Sequence, residues 1–173
     1  MENWTNLYQE LARIIQEKMP QIYWIDLWHN QVNFLQDEHP FQTPAIFLSF
    51  RTIATQDLGQ LQQEVNLQVD FYLFYETFAD TFKGAYNRES ALEFLDLMDK
   101  IQATFHGANG ENFSAMRRVS FAPEDTGGAG NLYRISFSCL MQDISAMKSE
   151  EEININAEFT NEKEIIYNIP IKI

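Results

Sequence analysis

Apolar side chains recur at helical spacing over residues 2–19 of the chain. Asn3 stands in the N-cap position, polar residues occupy the opposite side, and Pro20 follows the stretch. This pattern predicts an amphipathic helix that ends before Pro20. Its apolar stripe consists of Trp4, Leu7, Tyr8, Leu11, Ile14 and Ile15.

Strands are predicted next, because Ile, Val and aromatic residues accumulate in short runs that favour a pleated surface. They cover residues 22–29, 44–53 and 64–77. Residues 30–43 contain Pro40 and no sustained period, so we predict a loop that reaches away from the core. Residues 55–60 (TQDLGQ) are predicted to form the turn that joins the second and third strands.

The third of these strands, EVNLQVDFYLFYET, alternates and then stops alternating. One face is apolar throughout, and the other is polar up to Asp70. At Tyr72 and Phe74 the polar face becomes aromatic. The predicted helices suffice to cover only one face, which leaves residues 78–86, the C-terminal residues or a neighbouring subunit to cover the other. We therefore predict that Tyr72 and Phe74 lie at a subunit interface.

A second helix is predicted after an irregular connection at residues 78–88. Ser90 and Glu93 have the spacing of a capping box, Asn87 offers an N-cap one turn earlier, and Gly107 stands at the position of a left-handed C-cap. The apolar stripe consists of Ala91, Leu92, Leu95, Met98, Ile101 and Phe105.

Residues 113–121 and 131–143 read as two further strands. The resulting order predicts an α+β domain over residues 1–147, with a mixed, mainly antiparallel sheet and two helices on one face. An acidic linker, KSEEE, opens residues 148–173, and two alternating runs after it predict a C-terminal β-hairpin extension. The hairpin either caps an edge of its own sheet or reaches onto a neighbour. Its interface candidates are Ile165, Tyr167 and Ile169.

The composition is that of a folded globular chain, with 173 residues, 45% hydrophobic and 14% aromatic. The formal net charge of -13 argues against a nucleic-acid-binding surface, because phosphate contacts need clustered Lys and Arg. No run approaches the length of a membrane span, so we expect no membrane partner and a soluble protein made in the cytoplasm. The single cysteine, Cys139, lies on the apolar face of the last strand and is interpreted as a buried structural thiol.

The side chains do not form a recognisable catalytic, cofactor-binding or metal-binding pattern. The histidines lie far apart rather than at ligand spacing, at His29, His39 and His106. Residues 127–130 (GGAG) precede a strand and lack the Lys-Ser/Thr pair of a phosphate loop, so a hairpin loop explains them better. Two groups of carboxylates are interpreted as solvated: Asp37 and Glu38, and Asp96 and Asp99. We therefore predict a protein that is not an enzyme and needs no cofactor.

Arg117, Arg118 and Arg134 are the only basic residues concentrated near one predicted hairpin. Ordinary surface ion pairs explain them, and contact with an acidic partner is the alternative. The alternative makes these arginines interface candidates as well.

The order and pattern of these elements resemble the tail-completion, or tail-terminator, proteins of long-tailed bacteriophages and prophages. The resemblance covers about residues 4–143. It rests on a first amphipathic helix, a proline-led strand of the form P-x-I-x-hydrophobic, a strand alternating up to an aromatic cluster, a helix ending near a glycine, and a late strand. In this chain the last four are PAIFLSF, QEVNLQVDFYLFYE, SALEFLDLMDKIQATFHG and NLYRISFSCLMQD.

This resemblance implies a compact α+β subunit that assembles into a homo-oligomeric ring, typically of six copies. Such a ring caps the tail tube, stops its growth and offers a surface to the neck proteins, while DNA passes through the central hole without specific binding. It implies no catalysis, and a location in the cytoplasm during assembly and in the virion tail afterwards. The negative charge suits a channel wall that must not hold DNA, because like charges repel.

Two other functions fit the same sequence. One is a head–tail connector or another minor tail protein. The other is a small-molecule-binding α+β module, in which aromatic side chains line an apolar pocket. The aromatic side chains in question are Trp24, Trp28, Tyr72 and Phe74.

Overall fold

The computed structural model describes residues 3–34, 41–76, 81–126 and 130–147. Its elements follow the predicted order of helix, three strands, helix and two strands. They are α1 (Asn3–Lys18), β1 (Trp24–Leu27), a 3₁₀ helix (Gln31–Phe34), β2 (Ala45–Gly59), β3 (Gln62–Tyr75), α2 (Arg88–Phe105), β4 (Ser114–Glu124) and β5 (Asn131–Asp143). The predicted α+β class is confirmed. The C-terminal extension, residues 148–173, lies outside the described residues.

The five strands form one mixed sheet in the order β1-β2-β3-β5-β4. Strand β1 runs parallel to β2, and every other neighbouring pair is antiparallel. Because β5 lies between β3 and β4, the longest strands occupy the centre of the sheet, and β1 and β4 form its two sides.

Both helices pack on the same face of this sheet, as predicted. Leu7, Leu11 and Ile15 of α1 share a buried core with Leu97, Ile101 and Phe105 of α2. The sheet contributes the apolar faces of β3 and β5, on which every second residue points towards the helices. These strand residues are Val65, Leu67, Val69, Phe71, Leu73, Ile135, Phe137, Cys139 and Met141.

A buried carboxylate fixes the loop that follows α2 against α1. Glu10 is only 8% exposed, and its two oxygens accept hydrogen bonds from the backbone amides of Glu111 (2.7 Å) and Asn112 (2.9 Å) and from Asn112 Nδ2 (2.8 Å). A β-carbon at Gly110 would collide with this carboxylate and with the ring of Phe113. The close approach therefore requires glycine at position 110.

The turn predicted at residues 55–60 is wrong, because β2 continues through it. Thr55, Gln56 and Asp57 pair with Val65, Glu64 and Gln63 of β3. The turn instead falls at Gln60 and Leu61, whose φ angles are 52° and 64°. Pairing with the long β3 outweighs the local turn preference of Asp57 and Gly59. The paired ends of β2 and β3 that lead to this turn are here called the arm.

Of the two predicted starts of the second helix, the earlier one is correct. Asn87 occupies the N-cap position of α2 without a side-chain capping bond. Ser90 therefore lies inside the first turn of α2. At the other end Gly107 has a φ of 84°, which confirms the left-handed position predicted there.

Candidate functional site

The face of the sheet opposite the helices, here called the open face, is closed at one end by the chain itself. Its buried residues are Val32, Ala45, Phe47, Tyr72, Phe74 and Leu132, and Trp28 and Phe41 pack against them; together they are called the aromatic cluster. The ring of Trp28 stacks on Tyr72 with centroids 4.1 Å apart and planes 7° apart. Phe41 contacts Phe74 edge to face at 5.9 Å.

The prediction that Tyr72 and Phe74 lie at a subunit interface is therefore wrong, because a segment outside the three covers considered buries them within their own chain. Tyr72 is 8% exposed and Phe74 0%. The described parts of the loop at residues 30–43 turn back onto the sheet, with Val32 only 1% exposed, rather than away from the core. Trp28, Val32 and Phe41 supply apolar surface that local periodicity does not reveal, because they stand at irregular spacing beside a proline-containing loop.

Tyr72 is also fixed by polar contacts at its hydroxyl end. Burial raises the pKa of the Tyr72 phenol, and a hydrogen bond with Arg134 opposes that rise. Arg134 Nε donates in turn to Glu124 Oε1 at 3.0 Å. Arg134 is thus engaged within its own chain, which favours the ordinary ion pair over an acidic partner at this position.

The middle of the open face carries a polar network. Arg51 Nη2 donates to Gln68 Oε1 at 2.7 Å, and Gln68 Nε2 donates to both carboxylate oxygens of Asp70 at 2.9 and 3.1 Å. Asp70 is 7% exposed, and Ser136 opposite it on β5 is 2% exposed. The hydrogen bonds from Gln68 therefore replace the water that the buried Asp70 carboxylate has lost. The open face is polar between the aromatic cluster and the arm.

Arg117 and Arg118 lie apart from Arg134, on the outermost strand β4. Both are exposed, and no carboxylate among residues 3–34, 41–76, 81–126 and 130–147 forms an ion pair with either. Arg117 is opposite Ser138 and Arg118 is opposite Phe137, so the two side chains leave opposite faces of the sheet. The guanidinium of Arg118 lies 5.9 Å from the ring centroid of Phe121.

Apolar side chains accompany these arginines along the same strand. Val119 is 57% exposed and Phe121 53%. Strand β4 pairs with β5 on one side, and no described strand pairs with its other side. The loop after α2 bonds to the first half of that side, because Met116 exchanges backbone hydrogen bonds with Gly107 and Ala108 and the Arg118 amide donates to His106 Nδ1. The result is a surface with positive charge and exposed apolar area, here called the β4 edge.

The opposite side of the sheet ends on the short strand β1. Trp24 is 38% exposed, Leu27 48% and the preceding Tyr23 62%. Asp26 lies between these apolar positions, and its carboxylate accepts the backbone N–H of Leu27. This surface, here called the β1 edge, combines exposed apolar area with an acidic side chain.

The aromatic side chains considered for a ligand pocket pack directly against other aromatic rings. Trp28, Tyr72 and Phe74 pack within the aromatic cluster, and Trp24 faces Phe41 at 6.4 Å. Three grooves of about 350, 400 and 530 Å³ lie elsewhere, beside Asn112, beside Gly59 and beside Glu93 respectively. Direct ring-to-ring packing therefore occupies the space that the pocket hypothesis assigns to a ligand.

The other side chains considered for catalysis or metal binding are buried in the core, hydrogen-bonded to the backbone or exposed to solvent. Burial raises the pKa of the Cys139 thiol to about 12. His106 Nδ1 accepts the amide of Arg118 at 3.1 Å, and Asp96 and Asp99 are exposed on α2. Within the described ranges there is no group of three His, Cys, Asp or Glu side chains arranged to hold a metal ion.

Several sequence candidates cannot be placed. His39, the carboxylates at positions 37 and 38, residues 127–129 and the hairpin candidates Ile165, Tyr167 and Ile169 lie outside the described residues. Among the residues that are described, no helix has the length and apolar character needed to cross a membrane. Comparison with protein-family models and with curated proteins finds no family and no relative that matches the chain.

Proposed function

We propose that this chain is a structural virion protein of the tail-terminator type, which forms a ring, caps the tail tube and joins it to the neck. The observation that carries the proposal is the β4 edge, the side of the sheet that pairs with no described strand and exposes Arg117, Arg118, Val119 and Phe121. The resemblance in element order supports the virion role, and the β4 edge is the surface through which we propose that the copies assemble.

Charge complementarity favours another copy of the same chain as the partner of this edge. The subunit has 25 acidic against 12 basic residues, so its surface elsewhere is acidic while the β4 edge is basic. A basic surface that meets a different, acidic surface of the next copy makes a heterologous contact, and repetition of such a contact closes a ring.

The β1 edge is a suitable second half of that contact. It stands at the other side of the same sheet and exposes Trp24 and Leu27 around Asp26. Contact between the β4 edge of one subunit and the β1 edge of the next would bury apolar side chains from both and bring arginines near an acidic side chain. Apolar contact would supply affinity, and charge would fix the orientation.

A charge-reversal pair tests the assembly surface. Arg117→Glu with Arg118→Glu is compared with the matched control Arg13→Glu with Lys18→Glu, which changes the net charge equally on exposed positions of α1. Ring formation is measured by electron microscopy and light scattering, alone and on purified tail tubes. We expect wild type and control to cap tubes and the β4 variant to fail. Equal capping by all three would contradict assembly through the β4 edge.

The terminator role has a separate test in the phage or prophage that encodes the chain. Deletion of the gene should give tails of irregular, extended length, because nothing would stop polymerisation of the tube. Tails of normal and uniform length in the deletion strain would contradict the role, whatever the subunit does in isolation. Localisation in assembled particles separates a terminator at the end of the tube from another connector.

A further inference from the structure

Strand β2 has an outer edge that no described strand covers. On this side β1 pairs only with Ala45–Leu48, and β2 continues to Gly59. Residues 51–61 are all exposed, and among them Ile53 is 51% exposed, Leu58 48% and Leu61 61%. The backbone groups of residues 52–58 that point away from β3 therefore meet no strand among the described residues.

This edge lacks the protection that the other two edges have. Strand β1 is only four residues long, and β4 carries Arg117, Arg118 and Pro123. Charge, proline and shortness are the usual devices that keep an edge strand from pairing with another chain. In β2 a bulge at Ile53 bends the edge, but the stretch TIATQ at residues 52–56 contains no charge and no proline. We therefore expect another segment to pair with this edge.

The described chain ends at the tip of the arm, where this edge also ends. Strand β5 finishes at Asp143, opposite Gln63 of the arm. Ser145 and Ala146 then line a groove of about 400 Å³ together with Asp57 and Gly59, which lie at the far end of β2. Whatever follows Met147 therefore starts within reach of the point from which the open edge runs back towards the core.

We propose that residues 153–159 of the same chain bind along this edge, antiparallel to residues 52–58 of β2. The intervening linker, residues 148–152, spans at most about 17 Å at about 3.4 Å per residue, which exceeds the about 14 Å of three strand spacings between β5 and the outer side of β2. A strand that leaves the tip and returns towards the core is antiparallel to β2, and this pairing needs no crossover connection.

The sequence of the segment fits the edge. ININAEF alternates Ile153, Ile155, Ala157 and Phe159 with Asn154, Asn156 and Glu158, so an extended segment has one apolar and one polar side. The apolar side would cover Ile53 and Leu58. The subunit's own segment is the occupant because its starting point is already at the groove, whereas a second copy would have to bring its chain end to the same place.

This cap would leave the β4 edge and the β1 edge as the exposed sides of the sheet in the free subunit. The arm would be kept from pairing with the arm of another copy. The cap is independent of the proposed virion role, because it concerns the isolated subunit.

Hydrogen exchange on the full chain tests the cap, at concentrations where light scattering finds a monomer. The amides of residues 52–58 that point away from β3 should exchange at least about a hundredfold more slowly than unstructured amides. Ile155→Pro removes a donor and blocks strand pairing, so it should remove that protection while the amides of β3 stay protected. Ser149→Pro, in the linker, is the matched control and should leave protection intact.

Fast exchange of these amides in the wild-type chain would overturn the cap. Protection that disappears on dilution would also overturn it, because a second copy would then supply the cover. Cross-linking gives an independent reading: Thr55→Cys is combined with Asn156→Cys and oxidised, and Ser120→Cys on β4 replaces Thr55→Cys in the control. A disulfide within one chain at position 55 but not at position 120 supports the cap. Cross-links between chains, or equal cross-linking at both positions, refute it.

Discussion

Truncating Phe74 and Phe121 to alanine applies the same chemical change to a core side chain and to a side chain of the proposed assembly surface. Phe74 is fully buried, contacts Phe41 at 5.9 Å and lies so close to Gly130 that a β-carbon there would stand 2.7 Å from Phe74 Cε2. Phe121 is 53% exposed, and its ring stacks on Tyr133 at 6.2 Å. The two sites therefore differ mainly in burial.

The magnitudes follow from that difference. Large-to-small substitutions of a buried phenylalanine cost about 3–5 kcal/mol of the free energy of unfolding. We expect Phe74→Ala to cost about 3 kcal/mol, at the lower end, because the aromatic cluster is small and can partly collapse around the cavity. Phe121→Ala loses only about half of the burial of such a side chain, which corresponds to about 1 kcal/mol.

Urea unfolding of the isolated subunit measures both costs, and tube capping measures assembly. We expect Phe74→Ala to lower the transition midpoint strongly at an unchanged slope. Phe121→Ala should unfold nearly as wild type and cap tubes poorly. A loss below about 1 kcal/mol for Phe74→Ala, combined with failed assembly, would refute the placement of Phe74 in the core of the subunit and restore it as an interface residue.

Two further predictions concern buried polar groups. Glu10→Ala should cost about 3 kcal/mol in the same urea assay, because three hydrogen bonds to a charged group are lost and the backbone donors of the loop after α2 lose their partner, while Glu17→Ala on the exposed side of α1 should cost under about 0.5 kcal/mol. Burial raises the pKa of Cys139 from 9.0 to about 12, so the folded chain holds about a thousandfold less thiolate near neutral pH than the unfolded chain. Alkylation at pH 8, followed by mass spectrometry, should therefore be far slower in buffer than in urea, and equal rates would contradict the burial. Because the pKa of the Cys139 thiol is higher in the folded chain than in the unfolded chain, the thiol contributes stability below pH 9, and this stability is lost as the pH rises towards 12.

The sequence by itself determined the elements and the faces of the central strands. The period of two in β3 and β5 identifies every residue that β3 and β5 turn towards the helices, because alternation is a property of the extended backbone. The helical stripe identifies the buried face of α1 at Leu7, Leu11 and Ile15. In α2 it is only partly correct, because Leu95 is 40% exposed while Phe94 and Leu97, outside the predicted stripe, are buried. These signals are local, so a single sequence carries them, but packing decides which side of an apolar stripe is buried.

The cover of Tyr72 and Phe74 depended on tertiary structure. The break in alternation correctly marks a second apolar region on β3, but Trp28, Val32 and Phe41 cover it from a segment without regular period. The loop expected to leave the core is an error of the same origin, because Val32 and Phe41 pack against Tyr72 and Phe74 more than thirty residues away in the chain.

The sheet order and its open edges also came only from tertiary structure. Periodicity shows which residues belong to a strand, but the neighbour of each strand is set by pairing across tens of residues, as between Gln63 and Asp143. Glu10 stands in a predicted helix on the side opposite the apolar stripe, and only the loop more than a hundred residues later makes it a buried acceptor. Local chemistry determines which segments become helices and strands, whereas long-range packing decides which of their surfaces remain exposed.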